Sequence, residues 1–209
     1  LGRWVMSEGL IYDMFDPTEN VYRERPAGMY DRSQRYIACD YGTTNPTVFL
    51  DIYDDGERIR VDREYRWDSR KERRQKTDQE YADDFLEFMG GTDATVLVDP
   101  SAASFIVALR QRGVYVREAD NDVLDGIRKT GVLLNRREIL IHERCSGLID
   151  ELGINLNQLS EKRRKRLSGK VFQSVGDVML LWRLLFLPDS FLPVELPGDY
   201  FLISFRIMR

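Results

Sequence analysis

The chain has 209 residues, 43% of them hydrophobic and 32% charged, which suits one domain or a domain with an arm. With 31 Lys plus Arg against 35 Asp plus Glu, the formal net charge of -4 excludes whole-surface coating of nucleic acid but leaves room for a local basic groove. Cys39, Cys145 and His142 lack zinc-ligand spacing, and neither a leader peptide nor a membrane-spanning apolar run is visible, so zinc, secretion and a membrane are not expected.

Residues 1–35 mix aromatics (Trp4, Tyr12, Phe15, Tyr22, Tyr30) with Pro and Gly and hold no sustained period. They read as an extended arm or linker packing on a neighbour. Residues 36–39 form an apolar run that ends in one carboxylate, Asp40. A polar turn over residues 41–46 follows, and a β-branched and aromatic run over 47–53 returns, the signature of a hairpin. The turn Asp54-Asp55-Gly56 leads to a third strand, Ile59–Trp67. Residues 67–76 then carry Arg70, Lys71, Arg73, Arg74 and Lys76. A solvated loop is the ordinary reading of such a run, and a phosphate-contacting loop is the alternative.

Thr77 and Glu80 have capping-box spacing, and the helix they open sets Tyr81, Phe85, Phe88 and Met89 on one face before stopping at Gly90-Gly91. Residues 94–98 are almost wholly apolar, as in a strand buried on both faces, and this run also ends in a carboxylate, Asp99. A small-residue helix (Ala102, Ala103, Phe105, Ile106, Leu109) follows, and then a strand over 114–117. A helix over 122–134, a strand over 137–142 and a short helix over 143–152 complete the series. A meander followed by alternating helices and strands predicts a mixed α/β sheet covered by helices.

Two strands thus each present an Asp at the end of a buried run, and sites in open sheets lie beyond strand ends. Either Asp alone reads equally well as a turn cap. As a pair they repel unless a divalent cation neutralises them, which makes them candidate metal ligands.

Four stretches resemble one family: Glu8-Gly9-Leu10-Ile11-Tyr12 with Phe15-Asp16; Tyr36-Ile37-Ala38-Cys39-Asp40-Tyr41-Gly42-Thr43-Thr44-Asn45-Pro46; Val98-Asp99-Pro100-Ser101-Ala102-Ala103-Ser104-Phe105; and Asn121-Asp122-Val123-Leu124-Asp125-Gly126-Ile127. Together they are similar to the C-terminal nuclease domain of tailed-bacteriophage large terminases, over residues 5–152. The resemblance implies an RNase H-like (resolvase-like) fold and a metal-dependent endonuclease that cleaves double-stranded viral DNA concatemers during genome packaging, by two-metal-ion hydrolysis with Mg²⁺ or Mn²⁺. It implies an ATPase domain in the same full-length chain, a portal and a small terminase subunit as partners, and the host cytoplasm as location. By the family pattern Asp40 bridges the metals and Asp99 is the second ligand. A third acid is expected at the start of the last core helix. There the sequence departs from the pattern, and Asp177 in residues 174–186 is the acid that lies closest. An acidic helix cap is the alternative for Asp177.

On this reading residues 1–35 are the arm from the ATPase domain, 36–187 the nuclease domain and 188–209 an apolar tail. Lys162, Arg163, Arg164, Lys165 and Arg166 are candidates to hold a DNA backbone, with Arg128 and Lys129 secondary. His142, Cys39 and Cys145 read as structural. Two rival functions remain: a docking module of the packaging motor with a feeble metal site, and another RNase H-like enzyme of resolvase or transposase type.

Overall fold

The computed structural model describes residues 12, 14–42, 45–118 and 123–153. Its elements run in chain order as α1 (Pro17–Asn20), β1 (Val21–Tyr22), α2 (Met29–Arg32), β2 (Gln34–Asp40), β3 (Thr47–Asp54), β4 (Ile59–Trp67), α3 (Asp78–Met89), β5 (Thr95–Val98), α4 (Ala103–Gln111), β6 (Val116–Glu118), α5 (Val123–Asn135), β7 (Ile139–His142) and α6 (Ser146–Leu152). The meander and the later alternation of helix and strand expected from the sequence are present.

The described strands form one seven-stranded sheet in the order β1-β7-β4-β3-β2-β5-β6. β3 is antiparallel to β2 and β4, and the other pairings are parallel. All strands but β3 therefore point their carboxyl ends the same way, towards one rim of the sheet. Strand alternation divides the core into two layers. Ile37, Cys39, Phe49, Val96 and Val98 face Tyr81 and Phe85 of α3 and Phe105 and Leu109 of α4. Tyr36, Ala38, Val48, Leu50 and Leu97 face Leu133 and Leu134 of α5 and Leu148 and Leu152 of α6.

The described part of the stretch expected as an arm makes contacts with this sheet. β1 extends the edge beside β7, pairing Val21 with Ile141 and Tyr22 with His142. Asn20 Nδ2 donates to the carbonyls of Leu134 and Ile139 at 3.0 and 3.2 Å. A strand of two residues is too short to show a period, so the sequence pattern did not reveal it.

One buried ion cluster ties the meander to α3. Asp51 is wholly buried in β3 and accepts from Arg35 Nε at 2.8 Å and Arg63 Nε at 2.9 Å. The same guanidinium groups donate to carbonyls at the end of α3: Arg35 to Met89 at 3.0 Å and Arg63 to Phe88 at 2.8 Å. These are carbonyls a helix cannot satisfy within itself. At its other end α3 carries the expected capping box, with Thr77 N donating to Glu80 Oε2 at 2.8 Å and Glu80 N to Thr77 Oγ1 at 3.3 Å.

Candidate active site

Cys39 and Val98 are the last rung of the parallel β2–β5 ladder, and Asp40 and Asp99 are the next residues on the two strands. Neighbouring strands lie about 4.8 Å apart, so the two carboxylates leave adjacent strand ends side by side. Alternation sets Asp40 on the face of Ala38. Carried one residue past β5, it sets Asp99 on the face of Leu97, the face covered by α5 and α6. Both residues are half-buried, at the rim where the core opens.

The local sequence fixes both positions. After Asp40 the chain turns, and Tyr41 goes to the opposite face. Its ring stacks on Phe105 at 5.0 Å between centroids and meets Tyr81 edge-on at 5.6 Å, while its hydroxyl bonds Asp78. Gly42 is required by close approach, since a Cβ there would lie 2.6 Å from the Asn45 carbonyl oxygen. The buried Thr47 hydroxyl closes the turn against the Gly42 carbonyl at 3.3 Å. Asp99 opens the connection to α4: its Oδ1 accepts from Ser101 N at 2.7 Å and its carbonyl from Ala102 N at 2.9 Å. The turn-capping role considered for these aspartates is therefore occupied at Asp99 by one carboxylate oxygen.

Three further charged residues sit on the Asp40 face. The pairing Asp40–Val48–Arg66 runs straight across β2, β3 and β4, with Glu64 two residues back on β4. Arg66 donates through Nε to Glu64 Oε1 at 2.9 Å and through Nη2 to Glu151 Oε1 of α6 at 2.8 Å. Glu64 Oε2 in turn accepts from Gly147 N and Leu148 N at 3.0 and 3.3 Å. Gly147 is needed here because a Cβ would fall on the Glu64 carboxylate and the Arg66 guanidinium. Burial pushes the Glu151 carboxyl up to about 7 against the pull of Arg66, and the charges of Glu64 and Asp40 add to the push. A salt bridge normally lowers a carboxyl. Here Arg66 is shared with Glu64, so burial prevails.

The sequence candidates are distributed as follows. Asp40 and Asp99 stand at the ends of neighbouring strands. Arg128 is exposed and Lys129 half-buried on α5. Asp177 and the basic group Lys162, Arg163, Arg164, Lys165 and Arg166 lie outside the described residues, as does the apolar tail over 188–209. His142 is buried against Tyr22 edge-on at 5.0 Å and its Nδ1 accepts from Arg144 N at 3.2 Å, while Cys39 and Cys145 are wholly buried. Glu64, Arg66 and Glu151 escaped the sequence reading. Their one local signal is the two-residue spacing of Glu64 and Arg66 on one strand face.

Among the described residues no three His, Cys, Asp or Glu side chains gather closely enough to hold a metal ion. The pair Asp40 and Asp99 offers oxygen donors only. That suits Mg²⁺ or Mn²⁺, which bind through one or two carboxylates and take the remaining ligands from water and phosphate.

Solved structures to which the chain is similar include the following three. Against the large terminase of a thermophilic bacteriophage in complex with ADP it shows 39% identity and a TM-score of 0.72, covering 89% of this chain and 47% of that one. The chain thus spans about half the length of that relative. Against the P22 large terminase nuclease domain identity is 14% and the TM-score 0.57, over 72% and 80% of the two chains. Against the large terminase nuclease of thermophilic phage G20c with bound magnesium the values are 13% and 0.52, over 70% and 80%. The two nuclease domains share the fold, which is RNase H-like. No protein-family model and no curated protein matches the chain.

Proposed function

The chain is a relative of the bacteriophage large terminases with the fold of their nuclease domains, and on that premise we propose that it is a metal-dependent endonuclease acting on double-stranded DNA. The observation that supports the reading is that Asp40 and Asp99 directly follow the last rung, Cys39–Val98, of the adjacent parallel strands β2 and β5. Bound Mg²⁺ or Mn²⁺ would activate a water and stabilise the leaving oxygen of the phosphodiester. In this reading Asp40 and Asp99 hold the cation, and Asp177 is their third partner. Magnesium is bound in the G20c nuclease, which supports the choice of cation here.

The remaining residues hold the pair in place. Tyr41, pinned between Phe105, Tyr81 and Asp78, fixes the turn that aims Asp40. The Ser101 amide fixes the rotamer of Asp99. Arg66 and Glu64 dock α6 beside the site. Arg128, Lys129 and the basic run from Lys162 to Arg166 are proposed to meet the DNA backbone.

In the same reading the activity is genome packaging. The viral DNA concatemer is the substrate, an ATPase domain occupies the other part of the full-length protein, and portal and small terminase subunit are partners in the host cytoplasm. The ADP-bound large terminase, about twice as long as this chain, supports the ATPase assignment. No helix among the described residues is long and apolar enough to cross a membrane.

Plasmid nicking by the purified chain tests the proposal. Cleavage should appear in Mg²⁺ or Mn²⁺, vanish in EDTA, and fall roughly 100-fold or more in Asp40→Asn and in Asp99→Asn. A folded chain that cuts equally well in EDTA, or in which both variants cut normally, would refute it.

A further inference from the structure

We infer that the loop between β4 and α3, residues 68–76, is a duplex-DNA backbone clamp at the rim of the site; this deepens the endonuclease reading and rests on it. Both roots of the loop lie at the same rim of the sheet as Asp40, on the face opposite its carboxylate, where Trp67 and Tyr41 pack in the layer under α3 and α4. At the first root, Trp67 pairs with Thr47, one rung beyond the row that joins Arg66, Val48 and Asp40. β4 lies two strands from β2, about 10 Å away. At the second root, Asp78 receives the hydroxyl of Tyr41, the residue after Asp40.

The loop is held in one shape by its own bonds. Trp67 Nε1 donates to the Arg74 carbonyl at 3.1 Å, Arg70 N donates to Asp68 Oδ1 at 3.0 Å, and Arg74 N donates to the Ser69 carbonyl at 3.2 Å. Lys76 lies over the Trp67 ring at 4.0 Å and pairs with Asp84, and Arg74 pairs with Glu80. Two of the five cations are thus engaged in closing the loop. The other three, Arg70, Lys71 and Arg73, are exposed and make no ion pair among the described residues. Solvent-facing cations on a loop whose backbone is tied down suit phosphate contacts.

Duplex binding measured by fluorescence anisotropy over a salt series tests this, using the Asp40→Asn chain in EDTA so that no cutting intervenes. Adding Arg70→Ala, Lys71→Ala and Arg73→Ala together should weaken binding about tenfold or more at moderate salt. It should also flatten log K against log salt by about 0.9 per lost contact, two to three in all. Restoring charge with Arg70→Lys and Arg73→Lys, with Lys71 unchanged, should recover most of the slope. In the chain with Asp40 intact, the triple change should raise KM and leave kcat within about twofold. A folded triple variant with unaltered slope and affinity overturns the clamp, and the cations would then serve an acidic protein partner or none, while the endonuclease reading stands. Absence of duplex binding by the parent chain overturns both.

Discussion

Asp40 acts on its surroundings even without a metal, because its charge is felt at Glu151 on α6. Glu151 is where burial, a shared arginine and neighbouring carboxylates leave a carboxyl near 7 instead of 4.5. The folded chain therefore prefers Glu151 protonated. That contribution to stability is whole below pH 4.5 and is lost as pH climbs through about 7, a difference worth up to about 3 kcal/mol. Chemical denaturation in EDTA at pH 5 and pH 8 should show the parent losing more stability with rising pH than Glu151→Gln. Parallel pH profiles for the two proteins would show that Arg66 neutralises Glu151 after all. At this scale the sequence was half legible. Asp40 and Asp99 announce themselves because each ends an apolar run. Glu64, Arg66 and Glu151 do not, because only the β3–β4 pairing and the docking of α6 bring them to the same face. Charged residues 85 positions apart in the chain give no periodic signal.

The elements were more transparent than the contacts between them. β4 stands as Ile59–Trp67, and α3 starts after the Thr77 cap and stops at Gly90 in a left-handed turn with φ 69°. Caps, glycines and alternation are local chemistry, so they can be read in sequence. β1 was not legible, since two residues joining an edge depend on β7, more than a hundred positions away. The Asp51 cluster was also hidden. An Asp within an apolar strand is a contradiction until Arg35 and Arg63 arrive from β2 and β4. Those arginines connect three strands to the carboxyl end of α3, so the cluster holds an element pair and not one contact. Removing one partner of a buried ion group strands the others, at about 3–5 kcal/mol. Asp51→Ala is expected to lower unfolding free energy by that amount in urea titrations. A change under about 1 kcal/mol would mean that the arginines find water, and that α3 is held by its apolar face alone.

For the molecule as a whole, the topology explains why the candidate residues share one rim. Among the described strands only β3 runs against the others, so the carboxyl ends of β2, β4 and β5 gather Asp40, the first root of the basic loop and Asp99 on the same side. The layers on the two faces then divide the tasks. The aromatic layer of Phe49, Tyr81, Phe85 and Phe105 anchors Tyr41, and the aliphatic layer under α5 and α6 backs the carboxylates. In the proposed reading a sheet with a charged rim grips a polyanion while a cation is held beside it. The large terminase to which the chain is 39% identical is about twice as long as this chain. The most direct test is Mn²⁺ binding by the chain alone, followed by the electron paramagnetic resonance of the free ion. Binding should weaken at least about tenfold in Asp40→Asn and again in Asp99→Asn, and stay unchanged in the Arg70→Ala, Lys71→Ala, Arg73→Ala chain. Undiminished Mn²⁺ uptake by both folded aspartate variants would contradict a metal shared between the two strand ends.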